Sequence, residues 1–232
     1  MEVVRAEWKA RTLAEYRAAS MAGELLTWLV RLGFSSEATQ AAYAVVGHEL
    51  DHADLCWEVY GSVGGKDDPM AVAEGSLVIP HAFGEPTFDR LLLFVLDTYC
   101  IAETLAGPLF KAMTERATDS ACNQAVRRLA DDTLAHASFG WMLLDEAIEQ
   151  DGQYVLALGK KNLPAYLARV ERAWGHIPED YKEPVGPEEG AYGLIPRAVY
   201  KRCFYQVIAE KVLPELDARN LPGREAWSKR PR

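Results

Sequence analysis

Four stretches of the chain repeat apolar residues in alternating steps of four and three, the spacing of one face of an α-helix. The first reads Trp8, Thr12, Glu15, Ala19, Ala22, Leu26, Leu29, and the second Val45, Glu49, His52, Cys56, Val59. The third reads Leu92, Leu96, Tyr99, Glu103, Ala106, Phe110, Met113, and the fourth Cys122, Val126, Leu129, Thr133, His136, Gly140, Leu143. Each face is interrupted at one level, by carboxylates on three helices and by Thr133 and His136 on the fourth. Ionisable groups on a core-facing stripe are costly unless paired or bound to a metal, so a buried metal site is the economical explanation.

Punctuation along the chain bounds these elements. The first helix is predicted from about residue 4 to Leu32, with Gly33 just past its end. The second is capped by Ser35 or Ser36, carries Glu37 in its first turn and runs to about Tyr60. Residues 61–87 hold five glycines and three prolines, too broken for a long helix. The third helix spans about 88–116 and the fourth begins near Asp119 or Ser120 and reaches about Glu149. Short links within each hairpin and one long crossover between the hairpins predict an all-α four-helix bundle over residues 1–150. After Asp151-Gly152 come a helical segment at about 162–174, a Pro-rich stretch from Ile177 to Pro187 and a last helix at about 195–218. These define a helical extension, 151–232, packed on the bundle, with 224–232 a mobile basic tail.

At about 1.5 Å of rise per residue, Glu15 lies about 25 Å from the first hairpin's turn and Glu49 and His52 about 20–24 Å. In the second hairpin Glu103, Thr133 and His136 all fall about 20–25 Å from theirs. The interruptions therefore share one layer.

Composition narrows the partners. The chain has 232 residues, 49% hydrophobic and 25% charged, with a net charge of −9. It lacks the basic field that phosphate backbones require, so nucleic acid is not an expected partner. No apolar run is read as long enough for a bilayer, and Met1 to Glu7 carries no secretory apolar core, so the expectation is no membrane and a cytoplasmic location. Cys56, Cys100, Cys122 and Cys203 are widely spaced and read as packed thiols.

Glu49 and His52, three apart, project from one helix face, and with Glu15 and Glu103 form an oxygen and imidazole set suited to iron or manganese. The segments Glu15 to Ser20, Glu49-Leu50-Asp51-His52, Cys100 to Thr104 and Asp132-Thr133-Leu134-Ala135-His136 together resemble the ferritin-like di-iron carboxylate proteins. In that family two helices each give a Glu and two each give Glu-x-x-His. Over residues 5–150 the resemblance implies five ligands: Glu15, Glu49, His52, Glu103 and His136. It also implies Asp132 as the partner of His52 and His48 in a place where the family often has Asp. Thr133 stands where the family has the fourth Glu, leaving one carboxylate short and the second metal position weak, open or empty. Asp132 could substitute only by turning inward.

What the resemblance implies in function is an iron-dependent oxidase or oxygenase. It would hold one or two iron ions, with manganese as the alternative, and use dioxygen to oxidise an unidentified small molecule, with a homodimer as the possible assembly. Thr133, small and polar, would be the catalytic-pocket residue, able to hydrogen-bond an oxygen species. The alternatives are a ferroxidase or iron-handling protein, and a non-catalytic ferritin-like scaffold that has lost its metal. Against each metal reading stands a structural one. Glu49 and His52 could belong to the solvated face of Asp51, Asp54 and Glu58, and His136 could be a core histidine bonded to Asp132 or Thr133. Glu24 is an off-stripe competitor of Glu15, and Tyr99, Cys100, Trp174, His176 and Tyr181 read as structural.

Overall fold

The computed structural model describes residues 1–67, 72–74, 77, 86–172 and 185–231, and among these it is helical with no strand. Much of the 61–87 connection lies outside the described residues. So do Trp174, His176, Tyr181 and most of the Pro-rich stretch.

Helix α1 (Glu2–Leu32) ends at Gly33, whose left-handed φ of 71° suits a residue without Cβ. The N–H groups of Gly33 and Phe34 donate to the carbonyls of Val30 and Leu29, and Phe34 buries its ring in the same core as Leu29, a Schellman end. Ser35 caps α2 (Ser36–Ser62) by accepting from the N–H of Ala38. The N–H and hydroxyl of Ser35 also donate to Glu146, at 2.6 and 2.9 Å, pinning this turn to the last long helix.

The third stripe is not one regular α-helix. It divides into α3 (Thr87–Phe94), a π-helical segment (Val95–Glu103) and α4 (Thr104–Thr114). Widened π turns are rare and recur at functional sites, and Glu103 is the last residue of this one. By length and composition Thr87–Thr114 is apolar enough to cross a membrane, contrary to the reading that no stretch is. Here it is mostly buried, packed against α1 and α5.

Helix α5 (Ser120–Val170) is far longer than predicted. The Asp151-Gly152 signal is real but only kinks it: Asp151 leaves helical geometry at φ −152°, ψ 75°, and its carboxylate then accepts from the N–H of Tyr154 as a new cap. The helix resumes at once instead of near residue 162. Beyond it lie α6 (Pro187–Ala191), α7 (Arg197–Val207), a short π segment (Ile208–Val212) and α8 (Leu213–Ala218). Most of the expected tail is α9 (Gly223–Lys229), which packs on α5 and α8. Its Ala226 is buried, and Arg230 pairs with Glu171 at 2.5 Å and stacks over Trp227 at 3.5 Å. Trp and Ala burial explains why a basic composition alone misreads this segment.

Among the described residues the buried apolar side chains form two cores. One gathers Leu25, Leu29, Val45, Leu96, Tyr99 and Leu143. The other gathers Trp8, Cys56, Val59, Met113, Val126 and Leu129. Helices α1 and α5 run from the second core to the first, while α2 and the α3–α4 stretch run from the first to the second. Two consecutive stretches in the same direction require a connection that spans the molecule's length, which is why the 61–87 segment is long. Between the cores lies the level at which all four stripes are interrupted.

Candidate metal centre

Each helix contributes to that layer at the position its stripe dictates. Glu49, His52, Thr133 and His136 are buried, at 4%, 2%, 3% and 1% exposure. Glu15 and Glu103 are half-buried at its edge. The structure brings all five residues proposed as ligands together, in two groups that share one carboxylate: Glu15, Glu49 and His52, and Glu49, Glu103 and His136. Within each group one ligand atom per residue lies within 4.8 Å of the others. Glu49 turns one oxygen to each side, Oε2 at 3.4 Å from His52 Nδ1 and Oε1 at 3.3 Å from His136 Nδ1. Glu15 and Glu103 complete the groups, 3.7 Å from His52 Nδ1 and 3.8 Å from His136 Nδ1.

The absence of a carboxylate at Thr133 thus does not leave one position poorer than the other. Each group keeps two carboxylates and one imidazole. Thr133 lies in the layer, but its hydroxyl donates to the Leu129 carbonyl at 2.6 Å, so its proton is already engaged rather than free for an oxygen species. Its methyl group faces Gly107 of α4.

Outer contacts orient both imidazoles. His52 Nε2 is 2.9 Å from Asp132 Oδ2, and Asp132 in turn accepts from Arg128 Nε at 2.6 Å. Asp132 therefore braces His52 from outside and belongs to neither group. His136 Nε2 lies 3.2 Å from Nδ1 of His48, with the two rings stacked 5.4 Å apart. Burial, with His136 nearby, holds His48 below the usual histidine range despite Asp132. Neutral His48 can then accept a hydrogen bond on Nδ1 from the Nε2–H of His136. In both cases Nδ1 is left facing the layer.

Packing carboxylates this closely perturbs them. Burial, aided by the charge of Glu49 and opposed by His52, raises Glu15 to about 7. Burial and the charges of Glu49 and Glu15 push Glu103 up as well. Glu49 goes the other way: its bonds to His136 and His52 overcome the burial and lower it. Burial would discharge His52, but Glu15 and Glu49 outweigh it and raise the imidazole to about 10. Without a cation the layer therefore holds protons in its place, which is the behaviour of a donor set whose charge calls for one.

Three contributors escaped the sequence reading. Arg128 could have been found as the residue four before Asp132, an i,i+4 pair. Gly140 sits on the fourth stripe one turn after His136. A Cβ there would fall 2.4 Å from Tyr99 Cβ and 2.7 Å from the Tyr99 carbonyl carbon, so its lack of a side chain brings α5 directly onto the π segment. The third, Arg11, carried no signal beyond its place one turn before Glu15. Of the competitors, Glu24 pairs with Arg90 at 3.3 Å, away from the layer. Tyr99 packs edge-on between Phe94 and Phe139. Cys56, Cys100 and Cys122 are buried free thiols, and Cys203 is a half-buried one.

No known protein family, curated protein or solved structure matches this chain. What stands is an all-helical protein with a buried carboxylate and histidine cluster able to hold metal.

Proposed function

We propose that the chain is a ferritin-like, non-haem iron oxidase or oxygenase. The single observation that carries this reading is the shared carboxylate: two three-residue donor groups joined through opposite oxygens of Glu49. Oxygen and imidazole donors suit iron or manganese rather than a thiolate-loving ion. Helix directions with one long crossover are in keeping with that family's bundle. A pair of iron ions held there would supply reduction of dioxygen coupled to oxidation of a small molecule. The chain's own work is to hold and orient. Asp132 and His48 fix the rings of His52 and His136, and the two apolar cores keep water from the layer on either side.

The test is anaerobic loading of the folded protein with Fe(II), followed by oxygen. The expected result is two ions per chain, an oxygen-dependent absorption change, and release of protons on loading because the metal takes the place of those on Glu15, Glu103 and His52. Folded protein with no metal above background would sink the reading.

Thr133→Glu supplies a second check. Restoring a buried carboxylate in an already acidic layer should lower the melting temperature of metal-free protein while tightening Mn(II) binding by about tenfold or more. Unchanged binding would place Thr133 outside the metal centre.

A further inference from the structure

A groove of about 620 Å³ runs between α1 and α4. Ala10 and Ala14 of α1 face Ala106 and Phe110 of α4 across it, and Leu194 and Tyr200 from the C-terminal extension close one side. Two observations connect it to the carboxylate layer. Arg11 lines it one turn before Glu15, and Ala106 lines it one turn after Glu103. Glu15 and Glu103 are also the accessible members of the layer, with side chains 15% and 19% exposed against 5%, 3% and 2% for Glu49, His52 and His136. Glu15 and Glu103 do not themselves line the groove, but they stand within one turn of residues that do, on the two helices that wall it.

The lining also states what it accepts. Its charged residues are Glu7 and Arg11, joined at 2.6 Å, so neither leaves a net field for an ionic ligand. Arg11 is held between the rings of Trp8 and Phe110, each 5.7 Å from its guanidinium carbon, and it lines the groove with its side chain 23% exposed. A guanidinium has donors only, so a ligand oxygen there would accept from it. The rest of the wall is apolar apart from the Tyr200 hydroxyl. A second groove, of about 690 Å³ between α4, α5, α7 and the short π segment, is also partly apolar but carries six charged side chains, Lys111, Glu115, Arg127, Asp131, Glu210 and Lys211, against two in the α1–α4 groove.

We propose that the α1–α4 groove is the substrate site of the metal centre and takes an uncharged, largely apolar molecule whose one hydrogen-bond acceptor meets Arg11. The proposal rests on the metal reading above, and it gives the C-terminal extension a role as the wall that completes the site.

Octan-1-ol serves as the probe, with octanoate and octylamine as charged counterparts, observed by ligand NMR on the full chain with and without Mn(II). Octan-1-ol is expected to bind both forms and to be broadened by the metal only in the loaded one. Ala10→Trp, at an exposed position that should not disturb folding, is expected to weaken binding about tenfold or more, as is Ala106→Phe. Both charged counterparts should bind about tenfold more weakly than the alcohol. Binding insensitive to both substitutions, a bound alcohol that Mn(II) in the protein does not broaden, or a preference for octanoate would each overturn the proposal. Absence of Mn(II) uptake would remove the metal reading alone, since the alcohol's binding to metal-free protein and its loss in Ala10→Trp still decide the groove.

Discussion

Glu49→Gln is expected to abolish, at one stroke, the two-ion binding proposed for the layer. Glu49 alone belongs to both donor groups, offering Oε2 on the side of His52 and Oε1 on the side of His136. The amide is isosteric but neutral, and its nitrogen cannot ligate, so each position loses a charged donor. Where removal of an outer partner weakens metal binding by about 10- to 100-fold, removal of a shared ligand should cost at least about 100-fold at each position. Glu15→Gln serves as the contrast. It touches one group only and should leave about one ion per chain. Metal analysis and Mn(II) titration of both variants decide the matter: Glu49→Gln retaining one ion at full strength would mean that the carboxylate is not shared. In metal-free protein the same substitution also takes the carboxylate from two buried imidazoles. Metal-free stability should accordingly fall by about 1–3 kcal/mol.

Gly140→Ala is expected to be strongly destabilising, the most so of the Gly→Ala changes among the described residues. The new Cβ would meet the Tyr99 carbonyl carbon at 2.7 Å and the Cys100 nitrogen at 2.9 Å, and backbone atoms cannot swing aside. Overpacking typically costs about 1–3 kcal/mol. With backbone as the obstacle, the upper end or more is expected, a fall in melting temperature of about 6–12 °C for a chain of this size. The effect should be directional as well. Pushing α5 from the π segment separates His136 from Glu103, so the Glu49–Glu103–His136 group should lose metal before the Glu15–Glu49–His52 group does. Gly159→Ala is the control, since its nearest obstacle is a terminal methyl of Leu221 at 2.5 Å, which can rotate. Gly47→Ala, on a helix face with nothing within 4 Å, should stabilise by up to about 1 kcal/mol. If Gly140→Ala melted no lower than Gly159→Ala, close approach of α5 to the π segment would not be what sets the layer.

The interrupting residues were legible because helical periodicity is local. Whether Glu15 or Glu24 faces inward depends only on its angle along α1, and the constant rise per residue set the levels before any packing was known. Gly33 and Ser35 were equally legible, since end geometry is decided within a few residues. Signals of that kind failed in two ways. Asp151-Gly152 read as a stop, yet a local contact restarts the helix, since the side chain of Asp151 caps the chain that follows and α5 continues. The basic tail read as solvated, yet Ala226 is buried and Trp227 packs against the core.

The layer itself divides along the same line. Helical spacing alone determined that Glu15, Glu49, His52, Glu103, Thr133 and His136 would occupy one level of four stripes, because that follows from a period and a rise. Which oxygen of Glu49 serves which imidazole, that His48 stacks on His136, and that Thr133 turns its hydroxyl to Leu129 were decided only by the packed helices. These depend on side-chain rotamers and on distances between helices far apart in sequence, which no local period encodes.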